Sequence, residues 1–118
     1  VIVRPEVSVS TGAAYAQIDA APHKRPDTTE QMMQALKEKD ISLLSASLMN
    51  HFEEGLFPLE DELACTAAAL SRFGRPFQMT GSGSVFFLIA DDFKEASHIA
   101  ETISRAHPAW YTAVTETR

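Results

Sequence analysis

The sequence has a single cysteine and no long hydrophobic run. Cys65 has no second cysteine with which to form an internal disulfide, which favours a reducing compartment such as the cytoplasm. No apolar stretch approaches the roughly 20 residues that a membrane-spanning helix needs. No signal peptide is visible either. These absences predict a cytoplasmic protein without a membrane span.

Basic residues are also scarce. Ten Lys and Arg against sixteen Asp and Glu leave a net charge of −6 over 118 residues. Such a surface repels nucleic acids and anionic membranes, so we expect neither as a partner. A small anionic ligand held by one loop remains compatible with this charge. The hydrophobic share of 45% is that of one ordinary globular domain.

Candidate catalytic and metal-binding groups are sparse as well. None of the histidines has metal-site spacing from another or from Cys65. The acidic run Glu60-Asp61-Glu62 is explained by the preference for acids in the first turn of a helix. Cys65 is interpreted as a small packing residue, and the basic trio at 23–25 as a solvated loop. We therefore predict no metal ligand and no catalytic residue in this chain. The histidines are His23, His51, His98 and His107.

Hydrophobic periodicity and turn residues predict the order β, several helices, β-hairpin, α, β. Strands are expected near residues 1–9, 76–80, 84–90 and 110–116. This order is typical of an α+β ferredoxin-like sandwich, in which a four-stranded antiparallel sheet carries helices on one face.

The helices are expected to bury apolar stripes against that sheet. A helix capped by Asp40 is expected to end in the segment 50–55. Pro58 should open the next, and Asp91 or Asp92 should cap the last. The predicted buried stripes are Leu59, Leu63 and Leu70 in the first of these long helices, and Phe93, Ala100 and Ile103 in the second.

Between the two hairpin strands lies the turn Thr80-Gly81-Ser82-Gly83-Ser84. Its glycines allow positive φ without a Cβ clash, and small side chains leave backbone N–H groups accessible to an anion. Position 86 is Phe, so the GxGxxG pattern is absent, and no Walker A lysine follows. Most turns of this kind have only a structural role, so the turn alone does not identify a function.

Three segments in order give the chain a family resemblance. The segment 79–87 resembles the third motif of the GHMP small-molecule kinases. The segment 3–11, with Tyr15, resembles the entry to the C-terminal domain of the 4-diphosphocytidyl-2-C-methyl-D-erythritol kinase family. Asn50-His51-Phe52-Glu53 resembles that family's Asn-Asp-Leu-Glu stretch, with His51 for Asp and Phe52 for Leu.

The resemblance implies an ATP- and Mg²⁺-dependent kinase that phosphorylates the 2-hydroxyl of 4-diphosphocytidyl-2-C-methyl-D-erythritol in non-mevalonate isoprenoid synthesis. It also implies that Thr11 lies near the substrate alcohol. It implies cofactor binding at the turn, by Thr80, Gly81, Ser82, Gly83 and Ser84.

The family's ATP loop, Asp base and Lys lie upstream of the matching segments and are absent from these 118 residues. The strand-like start at Val1 also indicates a piece of a longer protein. We therefore expect one C-terminal domain, residues 1–118, which is inactive and ligand-free without its N-terminal domain as partner. Two alternatives remain open: another GHMP kinase of the mevalonate-pathway or homoserine type, or a non-catalytic ferredoxin-like ligand-binding module.

Overall fold

The computed structural model describes residues 1–20 and 26–117, which form four strands and six helices; the basic trio at 23–25 lies outside this part of the chain. The strands are β1 (Ile2–Arg4), β2 (Phe77–Met79), β3 (Phe86–Leu88) and β4 (Tyr111–Ala113). The helices are α1 (Thr11–Ala20), α2 (Thr29–Glu38), α3 (Ile41–Ser47), α4 (His51–Leu56), α5 (Asp61–Ser71) and α6 (Phe93–Ala106).

The strands form one antiparallel sheet in the order β2-β3-β1-β4. Val3 lies opposite Phe86 in β3 and opposite Thr112 in β4, and Met79 in β2 also lies opposite Phe86. The predicted four-stranded antiparallel sheet of an α+β sandwich is therefore confirmed.

One face of this sheet is buried. Val3, Met79, Phe86 and Leu88 are each at most 2% exposed, and the residues between them are less deeply buried. The helices cover this face with the apolar side chains that complete the core. From α5 these are Leu63 and Leu70, and from α6 they are Ala96, Ile99 and Ile103.

The strands are shorter than the apolar runs that predicted them. β1 ends at Arg4, directly before Pro5, because proline has no N–H to donate to a neighbouring strand. Val7 and Val9 still pack against the core from an irregular segment. In this segment the alternating apolar pattern therefore indicates which side chains are buried, but it does not indicate where the strand ends.

Two residues predicted to be buried are exposed. The helix expected to open at Pro58 begins at Asp61, with Glu60 at its N-cap position, so that Leu59 precedes the helix and is 60% exposed. Phe93 is the first residue of α6 and is 68% exposed. In both cases the residue lies at or before the first turn, where fewer neighbours surround a side chain than in mid-helix.

Two further expectations were wrong. Segment 50–55 does not end the preceding helix: the chain becomes extended at Leu48 and Asn50 then caps a new helix, α4. Cys65 is exposed rather than packed. The buried residue beside it is Thr66, whose hydroxyl is satisfied by donating to the carbonyl of Glu62 at 2.7 Å.

Candidate functional site

The glycine–serine turn closes the β2–β3 hairpin and has a shape that only glycine adopts freely. Gly81 and Gly83 have φ values of +50° and +89°. Within the turn, the Thr80 N–H donates to the Val85 carbonyl at 2.7 Å, and the Gly83 N–H donates to the Thr80 carbonyl at 3.0 Å. These bonds fix the turn relative to the strands that it joins.

The same turn leaves donors available to a ligand. Among the residues that the structure describes, the backbone N–H groups of Gly81 and Ser82 donate to no other group. Thr80 and Gly81 are exposed, whereas Ser84 is only 8% exposed. Consecutive N–H groups with a residue at positive φ form a concavity that suits an anion. Ser82 and Gly83 are half-buried, so accessibility decreases along the turn from Thr80 to Ser84.

Thr11, the predicted substrate contact, lies directly beside this turn. Its Oγ1 atom is 3.2 Å from the Oγ atom of Ser82, although 71 positions separate the two residues. Thr11 is also the first residue of α1, a helix with no acidic residue in its first turn. The positive end of a helix dipole favours a nearby anion. The two site segments predicted separately thus meet in one place.

A third segment, at the start of α4, also binds the turn. The side-chain amide of Asn50 donates to the carbonyls of Met79 and Gly81, at 2.7 and 2.8 Å. Oε1 of Glu53 accepts from the Met79 N–H at 3.0 Å. The sequence predicted Asn50 at the end of the preceding helix, in a stretch that resembles the Asn-Asp-Leu-Glu stretch of the kinase family. No local signal pointed to a turn about 30 residues away.

The helices that carry Thr11 and Asn50 pack closely on each other. The rings of Tyr15 and Phe52 meet edge to face with centroids 5.1 Å apart. A Cβ atom on Gly55 would lie 3.3 Å from Cβ of Gln17, so α1 and α4 approach each other where α4 has no side chain. The hairpin turn, α1 and α4 form one corner of the molecule, which we call the turn corner.

Residues 1–20 and 26–117 contain neither a clustered metal site nor a membrane-spanning helix. This part of the chain contains no group of three or more His, Cys, Asp or Glu side chains placed to hold a metal ion. Its helices are all too short or too polar to cross a membrane. The turn corner is therefore the arrangement to which the sequence and the geometry both point.

Comparison with known families identifies the class of protein to which the chain belongs. Residues 32–109 match the family model described as GHMP kinases C terminal. The matched range includes α4 and the whole β2–β3 hairpin. Because it spans more than half of the chain, the chain belongs to the GHMP kinase C-terminal family.

Individual relatives show to which kinases within this family the chain is similar. The 4-diphosphocytidyl-2-C-methyl-D-erythritol kinase of Moorella thermoacetica is 32% identical over 121 aligned residues, which cover 99% of this chain and 42% of that protein. The kinase of the same name from Alkaliphilus oremlandii is 28% identical over 98% of this chain and 40% of its own length.

The chain is also similar to a solved structure of such a kinase. The crystal structure of a 4-(cytidine 5'-diphospho)-2C-methyl-D-erythritol kinase superposes with a TM-score of 0.68 at 25% identity, covering 93% of this chain and 40% of that one. The chain thus spans about two fifths of the length of these relatives.

Proposed function

We propose that residues 1–118 form the C-terminal domain of an ATP-dependent kinase that phosphorylates the 2-hydroxyl of 4-diphosphocytidyl-2-C-methyl-D-erythritol, a step of non-mevalonate isoprenoid synthesis. The kinases named above support this proposal because they match nearly the whole chain. The observation that carries it is the contact between Thr11 and Ser82. It joins the predicted substrate segment to the predicted cofactor segment.

The proposal includes an N-terminal domain. The resemblance to the kinase family implies that the ATP loop, the Asp base and the Lys belong to that domain. It would be the partner of residues 1–118 in a longer parent chain. We assign the Mg²⁺ ligands to it as well, since the described residues contain no cluster of ligating side chains. Without that domain, residues 1–118 are expected to show no phosphoryl transfer.

Phosphoryl transfer depends on positioning and on neutralising charge rather than on covalent chemistry by the protein. ATP with Mg²⁺ supplies the γ-phosphoryl group when bound. The N–H groups of Gly81 and Ser82 would donate to phosphate oxygens, with the Thr80 hydroxyl beside them. Gly83 and the buried Ser84 would maintain the shape of the turn. The Thr11 hydroxyl would orient the acceptor alcohol.

The direct test is the reaction of the parent chain. It should phosphorylate 4-diphosphocytidyl-2-C-methyl-D-erythritol with ATP and Mg²⁺, and show at most trace turnover of mevalonate or homoserine under the same conditions. Phosphorylation of one of the latter two instead would assign another GHMP kinase. Absence of turnover with all three, in a folded parent chain, would favour a non-catalytic binding module. Turnover by residues 1–118 alone would contradict the domain assignment.

The role of the turn is tested by adding charge. Ser82→Asp and Ser82→Asn both remove the hydroxyl that faces Thr11, but only Ser82→Asp puts a negative charge beside the polyphosphate. We expect the Asp variant of the parent chain to have kcat/KM at least about tenfold below the Asn variant, since about 1.4 kcal/mol of transition-state stabilisation gives that factor. Equal kcat/KM values in the two variants would show that the turn does not face phosphate.

A further inference from the structure

Asn50 uses its side-chain amide for two different tasks. Its Oδ1 atom accepts from the Phe52 N–H at 3.0 Å and so caps α4. Its Nδ2 group donates to the carbonyls of Met79 and Gly81, at 2.7 and 2.8 Å. A side-chain amide has two N–H donors, and both are engaged by the hairpin. Capping alone requires neither of them.

The second of these contacts reaches the part of the turn that is proposed to bind phosphate. The Gly81 carbonyl accepts a hydrogen bond from Asn50. The backbone N–H groups of Gly81 and Ser82 donate to no other described group. The amide plane that joins Gly81 to Ser82 contains both the Gly81 carbonyl and the Ser82 N–H. Fixing the carbonyl by a hydrogen bond therefore also fixes the direction in which the Ser82 N–H points.

Glu53 adds a third contact from the same helix. β2 is an edge strand, and the Thr80 N–H is bonded across the hairpin to Val85. Successive residues of a strand direct their backbone groups to opposite sides, so those of Met79 point away from β3. Glu53 accepts from the Met79 N–H at 3.0 Å and Asn50 donates to its carbonyl. Side chains of α4 thus take the place of a further strand beside the turn.

We propose that Asn50, assisted by Glu53, is a positioning residue that holds the Ser82 N–H group in the geometry needed for phosphoryl transfer. This inference rests on the function proposed above. It extends that function because Asn50 would act through the turn and not by binding a reactant. Misplacing a group in an active site by about 1 Å can lower the rate by about 10²-fold.

The decisive variant is Asn50→Asp in the parent chain. Asp caps helices as well as Asn does, but a carboxylate has no N–H and would face two carbonyl oxygens. We expect kcat/KM to fall by about tenfold or more while the melting temperature shifts by only a few degrees. Hydrogen exchange, followed by mass spectrometry over peptides spanning 79–85, should become faster at the bonded amides of Met79, Thr80 and Gly83.

A matched pair separates positioning from capping. Asn50→Ala and Asp40→Ala each remove a side-chain cap from a short helix, since Asp40 accepts from the Ser42 and Leu43 N–H groups at 2.9 Å. Only Asn50 contacts the hairpin. Exchange at 79–85 and kcat/KM should change in Asn50→Ala and stay at parent values in Asp40→Ala.

Each negative result in these experiments contradicts a different part of the proposal. Unchanged exchange at 79–85 in both Asn50 variants would overturn the proposal that Asn50 holds the turn. Faster exchange with parent kcat/KM would overturn its role in the reaction. If the unmodified parent chain has no kinase activity, the proposed function fails by itself, and the exchange measurement alone then decides whether Asn50 holds the turn.

Discussion

The sheet with α5 and α6 and the turn corner are stabilised in different ways. Leu63, Leu70 and Phe86 are completely buried in the first region. In the second, the contact of Thr11 with Ser82 and that of Asn50 with Gly81 are hydrogen bonds at exposed positions. Burial of apolar area contributes far more to stability than an exposed hydrogen bond does. The core therefore sets whether the domain folds, and the turn corner sets the shape of the proposed phosphate site.

Met79 belongs to both regions. Its side chain is 1% exposed and part of the core, whereas its backbone N–H and carbonyl are bound by Glu53 and Asn50. A Cβ atom placed on Gly83 would lie 2.9 Å from Sδ of Met79. The turn is therefore in contact with the core at the Met79 side chain.

The largest expected effect is a core substitution. Leu63→Ala should lower the free energy of unfolding by about 2–5 kcal/mol, because it removes a fully buried side chain and leaves a cavity. The matched control is Leu59→Ala, four residues earlier and 60% exposed, which should change stability by less than about 0.5 kcal/mol. Urea denaturation measures both. Similar losses in the two variants would contradict the exposed position of Leu59.

The link between the two regions is tested by the two turn glycines. Gly83→Ala should cost about 1–3 kcal/mol, since it combines positive φ with a clash against Met79. Gly81→Ala should cost about 1 kcal/mol, because a Cβ there meets nothing within 4 Å and only the backbone conformation is unfavourable. Equal destabilisation of the two variants would show that a Cβ atom at position 83 does not clash with Met79.

A smaller effect is expected where an exposed hydrogen bond is removed. Thr11→Val keeps the shape of the side chain but loses the hydroxyl that meets Ser82. The free energy of unfolding should fall by at most about 1 kcal/mol, whereas kcat/KM of the parent chain should fall severalfold through the lost contact to the acceptor alcohol. A thermal melt and steady-state kinetics compare the two. A large loss of stability with kcat/KM unchanged from the parent would instead show that the role of Thr11 is structural.

The smallest effect concerns pH. Hydrogen bonds from the Thr29 hydroxyl and then the Thr29 N–H, at 2.6 and 2.9 Å, hold the pKa of the Asp27 carboxyl below its ordinary value of 3.8. Because the folded pKa is the lower one, this carboxylate stabilises the fold above pH 3.8 and loses that contribution as the pH falls through the folded pKa.

Asp27→Asn removes this titration. The melting-temperature difference between the parent and the Asn variant should therefore be constant near neutral pH and change only below about pH 4. Calorimetry over pH 2.5–7 measures it. Asp27 is exposed, so the change should be slight. A difference that is independent of pH over this range would show that the Thr29 bonds do not act on the carboxylate.

Much of the fold could be predicted because its signals are local. The apolar runs beside the turn, the Asp40 and Asp92 caps and the spacing of Leu63 and Leu70 each lie within a few residues of the structure that they specify. The exposure of Leu59 and Phe93 was missed for the opposite reason. A hydrophobic residue at the end of a helix has the same identity whether or not another element covers it.

The sequence by itself determined the antiparallel sheet, the mid-helix core positions Leu63, Leu70 and Ile103, and a glycine turn able to adopt positive φ. These follow from side-chain periodicity and from the missing Cβ of glycine. Only the tertiary structure decided that Thr11 meets Ser82 and that Asn50 binds the Gly81 carbonyl. Those pairs are 71 and 31 positions apart. Their hydrogen bonds exist only after packing of the core has brought α1, α4 and the hairpin together, and no local pattern encodes that approach.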